Sequence, residues 1–230
     1  MPDPMLDLAF PIVEGRVTTI DHGHALYGAV KAAAPHLAEM RIGIMPLRGQ
    51  PIEGGLLLLR PRERLRVRLP AGAIPLALPL AGRDLRVGSQ LLRLGVPSID
   101  ALVPQANLYA RTVVVVKGQG GAKPATATAP AQRANRPATE AETIAAIQAI
   151  AGTGASVRSL RRRTIRIHDV QIPGFEIVVE GLADAASLRL QAEGVGGRRA
   201  FGCGIFVHAG LKKPAIAAPA TATSEEAGHA

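Results

Sequence analysis

The stretch from Gly194 to Val207 sets five glycines (Gly194, Gly196, Gly197, Gly202 and Gly204) and two arginines (Arg198 and Arg199) against the apolar run Ile205-Phe206-Val207. Glycine forfeits side-chain packing and backbone entropy in helices and strands alike. Such a density fits a tight turn between strands, or a backbone that must lie close to something bulky and anionic. The nucleotide-binding spacings do not fit. A Gly-x-Gly-x-x-Gly starting at Gly194 would need glycine at 199, which is arginine, and no helix is expected to follow. A Walker-type Gly-Lys-Ser/Thr and a Gly-x-Ser-x-Gly elbow do not occur in the sequence either.

Charge narrows the partner. The net charge is +9, and only five of the 27 basic residues are lysines. Arginine presents a planar fork that suits phosphate. Between Arg60 and Arg68 every second residue is arginine (Arg60, Arg62, Arg64, Arg66, Arg68), with Leu65 and Val67 among the intervening residues. A strand would put all five on one face, a basic ladder of about 26 Å. A second basic segment, Arg161-Arg162-Arg163, lies in a strand-like stretch. A nucleic-acid face is expected. With no Trp, two Tyr and four Phe, a broad base-stacking platform is excluded.

The single cysteine, Cys203, rules out a disulfide framework or a Cys-based zinc cluster. No apolar run approaches the roughly 20 residues that span a bilayer. The start, Met1-Pro2-Asp3-Pro4, lacks the basic opening of a signal peptide. A cytoplasmic protein without membrane contact is expected.

In chain order the pattern predicts a strand over 6–13 and a helix from Asp21, its N-cap, to Pro35. Short strands are expected at 42–46, 74–80, 85–87 and 90–96, and a buried strand at 108–116. Residues 118–138, rich in Gly, Ala, Pro, Thr and Gln, read as a linker. Thr139 and Glu142 form a capping box on a second helix. A strand at 157–168, another at 175–179, a helix or strand at 184–193 and a closing strand at 206–208 follow. The expected architecture is α+β, two ferredoxin-like units. They occupy 1–117 and 139–210, with 211–230 a disordered tail.

His22 and His24 fall in the first turn of the first helix, pointing to different sides. His24, Tyr27 and Lys31 share a polar stripe. A neutral imidazole can accept a proton, whereas capping or packing is the plainer role, and the residues alone leave both open. His-x-His on a helix has the wrong spacing for chelation, and no acidic cluster accompanies it. Neither a metal nor a cofactor is expected.

The glycine loop, together with Phe10-Pro11, Asp21-His22-Gly23-His24-Ala25-Leu26-Tyr27-Gly28-Ala29 and Gly43-Ile44-Met45-Pro46-Leu47-Arg48-Gly49, resembles the CRISPR-associated endoribonucleases that process repeat RNA. These are the sixth Cas family (Cmx branch) of the RAMP superfamily. The similarity runs through residues 6–210. It implies tandem ferredoxin-like folds and a repeat RNA stem-loop as substrate, with other Cas proteins of an interference complex as further partners. It also implies metal-independent cleavage by the ribose 2′-hydroxyl, leaving a 2′,3′-cyclic phosphate and a 5′-hydroxyl. His22 matches the Asp-His-Gly histidine and Tyr27 the Leu-Tyr tyrosine, and His22, His24, His36 and Tyr27 are the expected candidates for acid/base work. His24 stands where tyrosine is more usual. Relatives carry Pro-x-Leu-His-Glu after the helix, but this chain reads Pro35-His36-Leu37-Ala38-Glu39. Either His36 substitutes, or His22 or His24 is the catalyst, or Ala38 marks an inactive variant. The alternative to an enzyme is a non-catalytic RNA-binding subunit. RNA contact is expected from Lys31, from the glycine loop with Arg198 and Arg199 holding phosphates, and from the Arg60–Arg68 ladder or Arg161 to Arg163 along the stem.

Overall fold

The computed structural model describes residues 3–117, 136–167 and 170–211. Most of the expected linker and nearly all of the expected tail lie outside the described residues.

Ten residues form β1 (Met5–Glu14), with Asp7 to Phe10 all buried. β2 (Val17–Thr19) leads into α1 (Gly23–Ala33), which ends as Pro35 opens the short α2 (Pro35–Ala38). Then come β3 (Gly43–Ile44), β4 (Gly49–Ile52), β5 (Leu56–Leu59) and β6 (Arg64–Pro70). The segment 71–80, expected to be a strand from 74, coils instead through α3 (Ile74–Ala77) and flanking 3-10 turns. Pro75 and Pro79 open these turns, where their missing N–H is not needed and their fixed φ suits a helix start. The hairpin β7 (Asp84–Val87) and β8 (Gln90–Leu94) and the short β9 (Ser98–Ala101) complete the first half.

β10 (Leu108–Val113) is followed by the pair β11 (Val116–Lys117) and β12 (Arg136–Pro137). α4 (Glu140–Ala151) carries the expected capping box: Thr139 Oγ1 accepts from the Glu142 N–H, and Glu142 accepts from the Thr139 N–H. β13 (Ser156–Ile167) and β14 (Val170–Glu180) make a long hairpin, α5 (Asp184–Glu193) follows, and β15 (Val207–His208) closes the second sheet.

The first sheet has the order β3-β6-β1-β8-β7, with β9 also on β1, and the second has β13-β14-β10-β15. In both, a strand, a helix, two strands, a helical segment and a last strand occur in sequence. In both, the first and third of these strands are central neighbours. That is the ferredoxin-like order twice over, as expected. β10, expected in the first unit, hydrogen-bonds in the second sheet, because the unit centred on α4 and α5 needs it as its first strand. A small sheet, β2-β5-β4, sits beside the first. Each sheet buries one face under its own helices. Phe10, Val30 and Leu65 belong to one core, and Ile147, Ile177 and Phe206 to another.

The arginine ladder is broken by a turn. Pro61 at the second position and Arg62, with φ of 61°, at the third give a type II turn closed by the Glu63 N–H on the Arg60 carbonyl. Only Arg64, Arg66 and Arg68 lie on β6, and each faces an acceptor. Arg64 donates to Ser98 Oγ at 3.0 Å, and Arg66 lies 3.7 Å from Asp100. Arg68, opposite Asp7 in the β1–β6 register, is 1% exposed and makes a bidentate pair with it at 2.6 and 2.9 Å. The expected RNA contact by Arg68 is corrected: its guanidinium is a buried strut. Its remaining donors reach the carbonyls of Gln191 in α5 and of Phe206, joining the two units.

Arg68→Met strands the buried Asp7 carboxylate and two carbonyls. A loss of about 3–5 kcal/mol is expected in urea denaturation. The combined Asp7→Leu and Arg68→Met variant should recover part of it, since it removes the orphaned charge.

Candidate active site at the junction of the two units

α1 begins without a side-chain cap: its N-cap is His22 rather than Asp21, and the His22 side chain does not bond the helix amides. The ring is 2% exposed. Its Nδ1 lies 2.8 Å from the Thr19 carbonyl, and Nε2 accepts the Leu47 N–H at 2.9 Å. A carbonyl can only accept and an amide N–H can only donate, so the ring is neutral with its proton on Nδ1. Burial, opposed in part by the bond to Thr19, holds its pKa below the ordinary value. His22 therefore has no lone pair to offer a substrate, and its expected role in proton transfer is corrected. It ties the start of α1 to the 46–48 segment instead.

His24 and Tyr27 face the other way, as the helical spacing predicts. Both meet Phe201 of the glycine loop. His24 stacks on it with ring centroids 5.9 Å apart and planes 11° apart, and Tyr27 packs edge-on at 4.9 Å. Lys31, two turns beyond His24, is exposed. His36 sits on α2 with its side chain 78% exposed, 3.9 Å from Glu39. It is outside the group that gathers at Phe201.

The glycine loop folds on itself. Gly194 and Gly204 both have positive φ, and a Cβ on either would strike the backbone of the facing strand of the loop. Gly202 packs against Pro46. Gly194 and Gly204 are buried within the loop, so direct RNA contact by these two is corrected to a packing role, while buried Gly202 also borders the space between the loop and α1. Gly196, Gly197 and Arg198 remain exposed. Arg199 turns inward to the last carbonyls of α5, those of Ala192 and Glu193. Among the described residues its Nε and Nη2 have no hydrogen-bond partner, and burial, with Arg41 and Arg68 nearby, pulls its pKa down to about 10. Arg199 is thus a strut, not the expected phosphate ligand.

Where the loop meets α1, a cavity of about 200 Å³ opens. Its wall includes His24, Phe201 and Gly202, with Arg111 from β10 and Arg163 and Arg166 from β13. Arg163 was an expected RNA contact, whereas Arg111 and Arg166 were not marked in the sequence. Nothing about Arg111 in isolation sets it apart, although its place after Leu108-Tyr109-Ala110 on an alternating strand could have flagged a charged residue on the uncovered face.

Behind the wall, buried Glu176 accepts from Tyr109 Oη at 2.6 Å, Arg161 Nε at 2.6 Å and Arg163 Nε at 2.8 Å. Burial and this bond push the Tyr109 hydroxyl above its usual range. Burial first, then repulsion from Arg163, lowers the pKa of the Arg111 guanidinium. Arg162 is exposed on the outer part of the hairpin.

The family description Cas6 Crispr matches residues 6–210. The chain belongs to the Cas6 family. The CRISPR-associated endonuclease Cas6 of Myxococcus xanthus (strain DK1622) is 35% identical over 206 residues, which is 89% of this chain and 82% of that one. A solved CRISPR associated protein Cas6 superposes with a TM-score of 0.55 at 12% identity, covering 89% of this chain and 98% of its own. A structure described as the characterization of a Cas6-related gene from Pyrococcus furiosus gives 0.57 at 9% identity, over 89% and 97%. A RAMP protein described as binding different RNA substrates gives 0.52 at 10% identity, over 88% and 98%. At these identities the structures share the fold of this Cas6-family chain. Among the described residues no helix is long and apolar enough to cross a membrane.

The His22 ring has a pH signature. In the unfolded chain it titrates near 6.5, and in the folded chain lower. Between those values the unfolded state binds more protons. Stability therefore rises with pH through the window and is lost as pH falls below about 6.5, by at most ~1.4 kcal/mol per unit. Denaturation midpoints between about pH 8 and pH 5 should fall more steeply for the natural chain than for His22→Gln.

Proposed function

We propose that this chain is an endoribonuclease that cuts CRISPR precursor RNA within its repeats, acting on the repeat stem-loop to mature crRNA. The observation that carries the reading is the junction cavity, where His24 of α1 shares a wall with arginines of the second sheet. Membership of the Cas6 family and the endonuclease name of the 35% identical relative support it. The net charge of +9 suits a polyanion.

In this reading His24 takes the proton from a ribose 2′-hydroxyl. The 2′-oxygen forms a bond to the adjacent phosphorus, and the P–O5′ bond breaks. The 5′-oxygen leaves with a proton taken from solvent water, giving a 2′,3′-cyclic phosphate and a 5′-hydroxyl, and no metal takes part. Tyr27 braces Phe201, and Phe201 braces the His24 ring. Gly197 and Arg198 on the exposed loop, Arg162 on the β13–β14 hairpin and exposed Lys31 contact backbone phosphates. Duplex RNA hides its base edges, so recognition of the stem is mainly by shape and phosphate. With its single cysteine the chain suits a reducing cytoplasm. Association with other Cas proteins is a further part of this proposal.

Single-turnover assays with repeat RNA in EDTA test it. The natural chain should release a fragment ending in a cyclic phosphate. His24→Ala should slow the cut by about 10²–10⁴-fold, while His36→Ala should leave the rate within a few-fold. Tight binding without a cut would overturn the enzyme reading, and a cut abolished by EDTA would overturn the metal-free mechanism. Raising salt from about 50 to about 200 mM should weaken binding steeply, because phosphate contacts release counterions.

A further inference from the structure

Arg111 reaches the cavity from β10, whereas the other arginines of its wall, Arg163 and Arg166, come from β13. β10 and β14 lose register between Ala110 and Val113, so Arg111 and Thr112 lie in an irregular stretch of the strand. Such a bulge re-aims the side chains it carries. Ala110 stays in the core while Arg111 joins the cavity wall with His24.

The charges around Arg111 do not balance. Glu176 is the nearby buried carboxylate, and it already accepts from Tyr109, Arg161 and Arg163. Asp21, the acid on the cavity wall, is exposed. Among the described residues Arg111 forms no ion pair, while Arg163 and Arg166 share its wall. A partly buried guanidinium without an anion is costly to hold, and burial and Arg163 already disfavour its charge. An anion in the cavity would relieve both costs. The start of α1, an eleven-residue helix whose N-cap supplies no side-chain cap, opens on the same cavity and adds its amide dipoles.

We propose that Arg111 is a catalytic residue: its guanidinium binds a non-bridging oxygen of the scissile phosphate and stabilises the charge that builds there as the 2′-oxygen adds to phosphorus. The assignment rests on the endoribonuclease reading above. Arg111 stays protonated throughout. The 2′-hydroxyl proton goes to His24, the O2′–P bond forms, the P–O5′ bond breaks and the 5′-oxygen takes a proton from solvent water. Glu176 is the positioning residue. By holding Arg163 and Arg161 it keeps them from competing with Arg111, which stands beside Arg166 on the wall, for the phosphate.

The test uses the full chain in single-turnover cleavage of repeat RNA whose scissile phosphate carries sulfur at one or the other non-bridging oxygen. Binding is measured with the 2′-deoxy analogue, which cannot be cut. Arg111→Gln should slow cleavage by about 10²–10³-fold, with affinity for the analogue changed less than about tenfold. One sulfur diastereomer should slow the natural chain, and that discrimination should vanish in Arg111→Gln. Arg111→Lys should recover part of the rate as a point charge without the fork.

A rate for Arg111→Gln within about threefold of the natural chain would overturn the assignment, as would a slow variant that keeps the full sulfur discrimination. Should Arg111→Gln fail to fold, the same two readouts on Arg111→Lys decide it. A natural chain that binds the analogue but never cuts would instead overturn the endoribonuclease reading, and the role of Arg111 in cleavage with it.

Discussion

The pairing of Asp7 with Arg68 holds the two ferredoxin-like units in register. The two residues are direct partners across β1 and β6, and both are buried. The guanidinium has donors left over after satisfying the carboxylate, and these reach the carbonyls of Gln191 and Phe206 in the second unit. Arg199 adds bonds to the carbonyls of Ala192 and Glu193, and Arg41 one to that of Glu193. The end of α5 is thus surrounded by three arginines, where the helix dipole presents partial negative charge and unsatisfied carbonyls. This arrangement brings the glycine loop, which begins as α5 ends, to the face of α1.

From that placement the cavity follows. The loop can approach because glycine at 194 and 204 lets its two strands close on each other without Cβ atoms between them. Phe201 then reaches both His24 and Tyr27, and Gly202 reaches Pro46. His22 secures the same corner from below, with one nitrogen on Thr19 and the other on Leu47. The two histidines of a two-residue spacing are thereby divided. Both border the cavity, but the nitrogens of His22 are committed to the backbone, whereas the His24 ring stacks on Phe201.

Arginine does three kinds of work in this chain. Arg68 and Arg199 are buried braces, and Arg64, Arg66 and Arg163 are held by side chains on other strands of their sheets. Arg111 faces the cavity without an ion pair among the described residues. A count of charges does not separate these, because the distinction is made by which carboxylates and carbonyls lie opposite. The even spacing of Arg60 to Arg68 looked like one face of one strand. The Pro61-Arg62 turn, set by the fixed φ of proline and the left-handed φ of Arg62, takes the first two out of it.

Local signals in the sequence determined much of the chain. The capping box at Thr139, the strand-like hairpin arms, the helix between His22 and Pro35 and the opposite facing of His22 and His24 all rest on spacing or on contacts a few residues apart. The glycine loop and its companion segments carried the family resemblance, and the likeness to the Cas6 family over residues 6–210 agrees with it. Tertiary structure alone decided what each polar side chain meets. The burial of Arg68 depends on Asp7, 61 residues away, and on α5, 123 residues away. The neutrality of His22 depends on Leu47, and the place of Arg111 on the cavity wall on the register shift between β10 and β14. These are long-range facts of desolvation and hydrogen-bond satisfaction, and no local pattern encodes them.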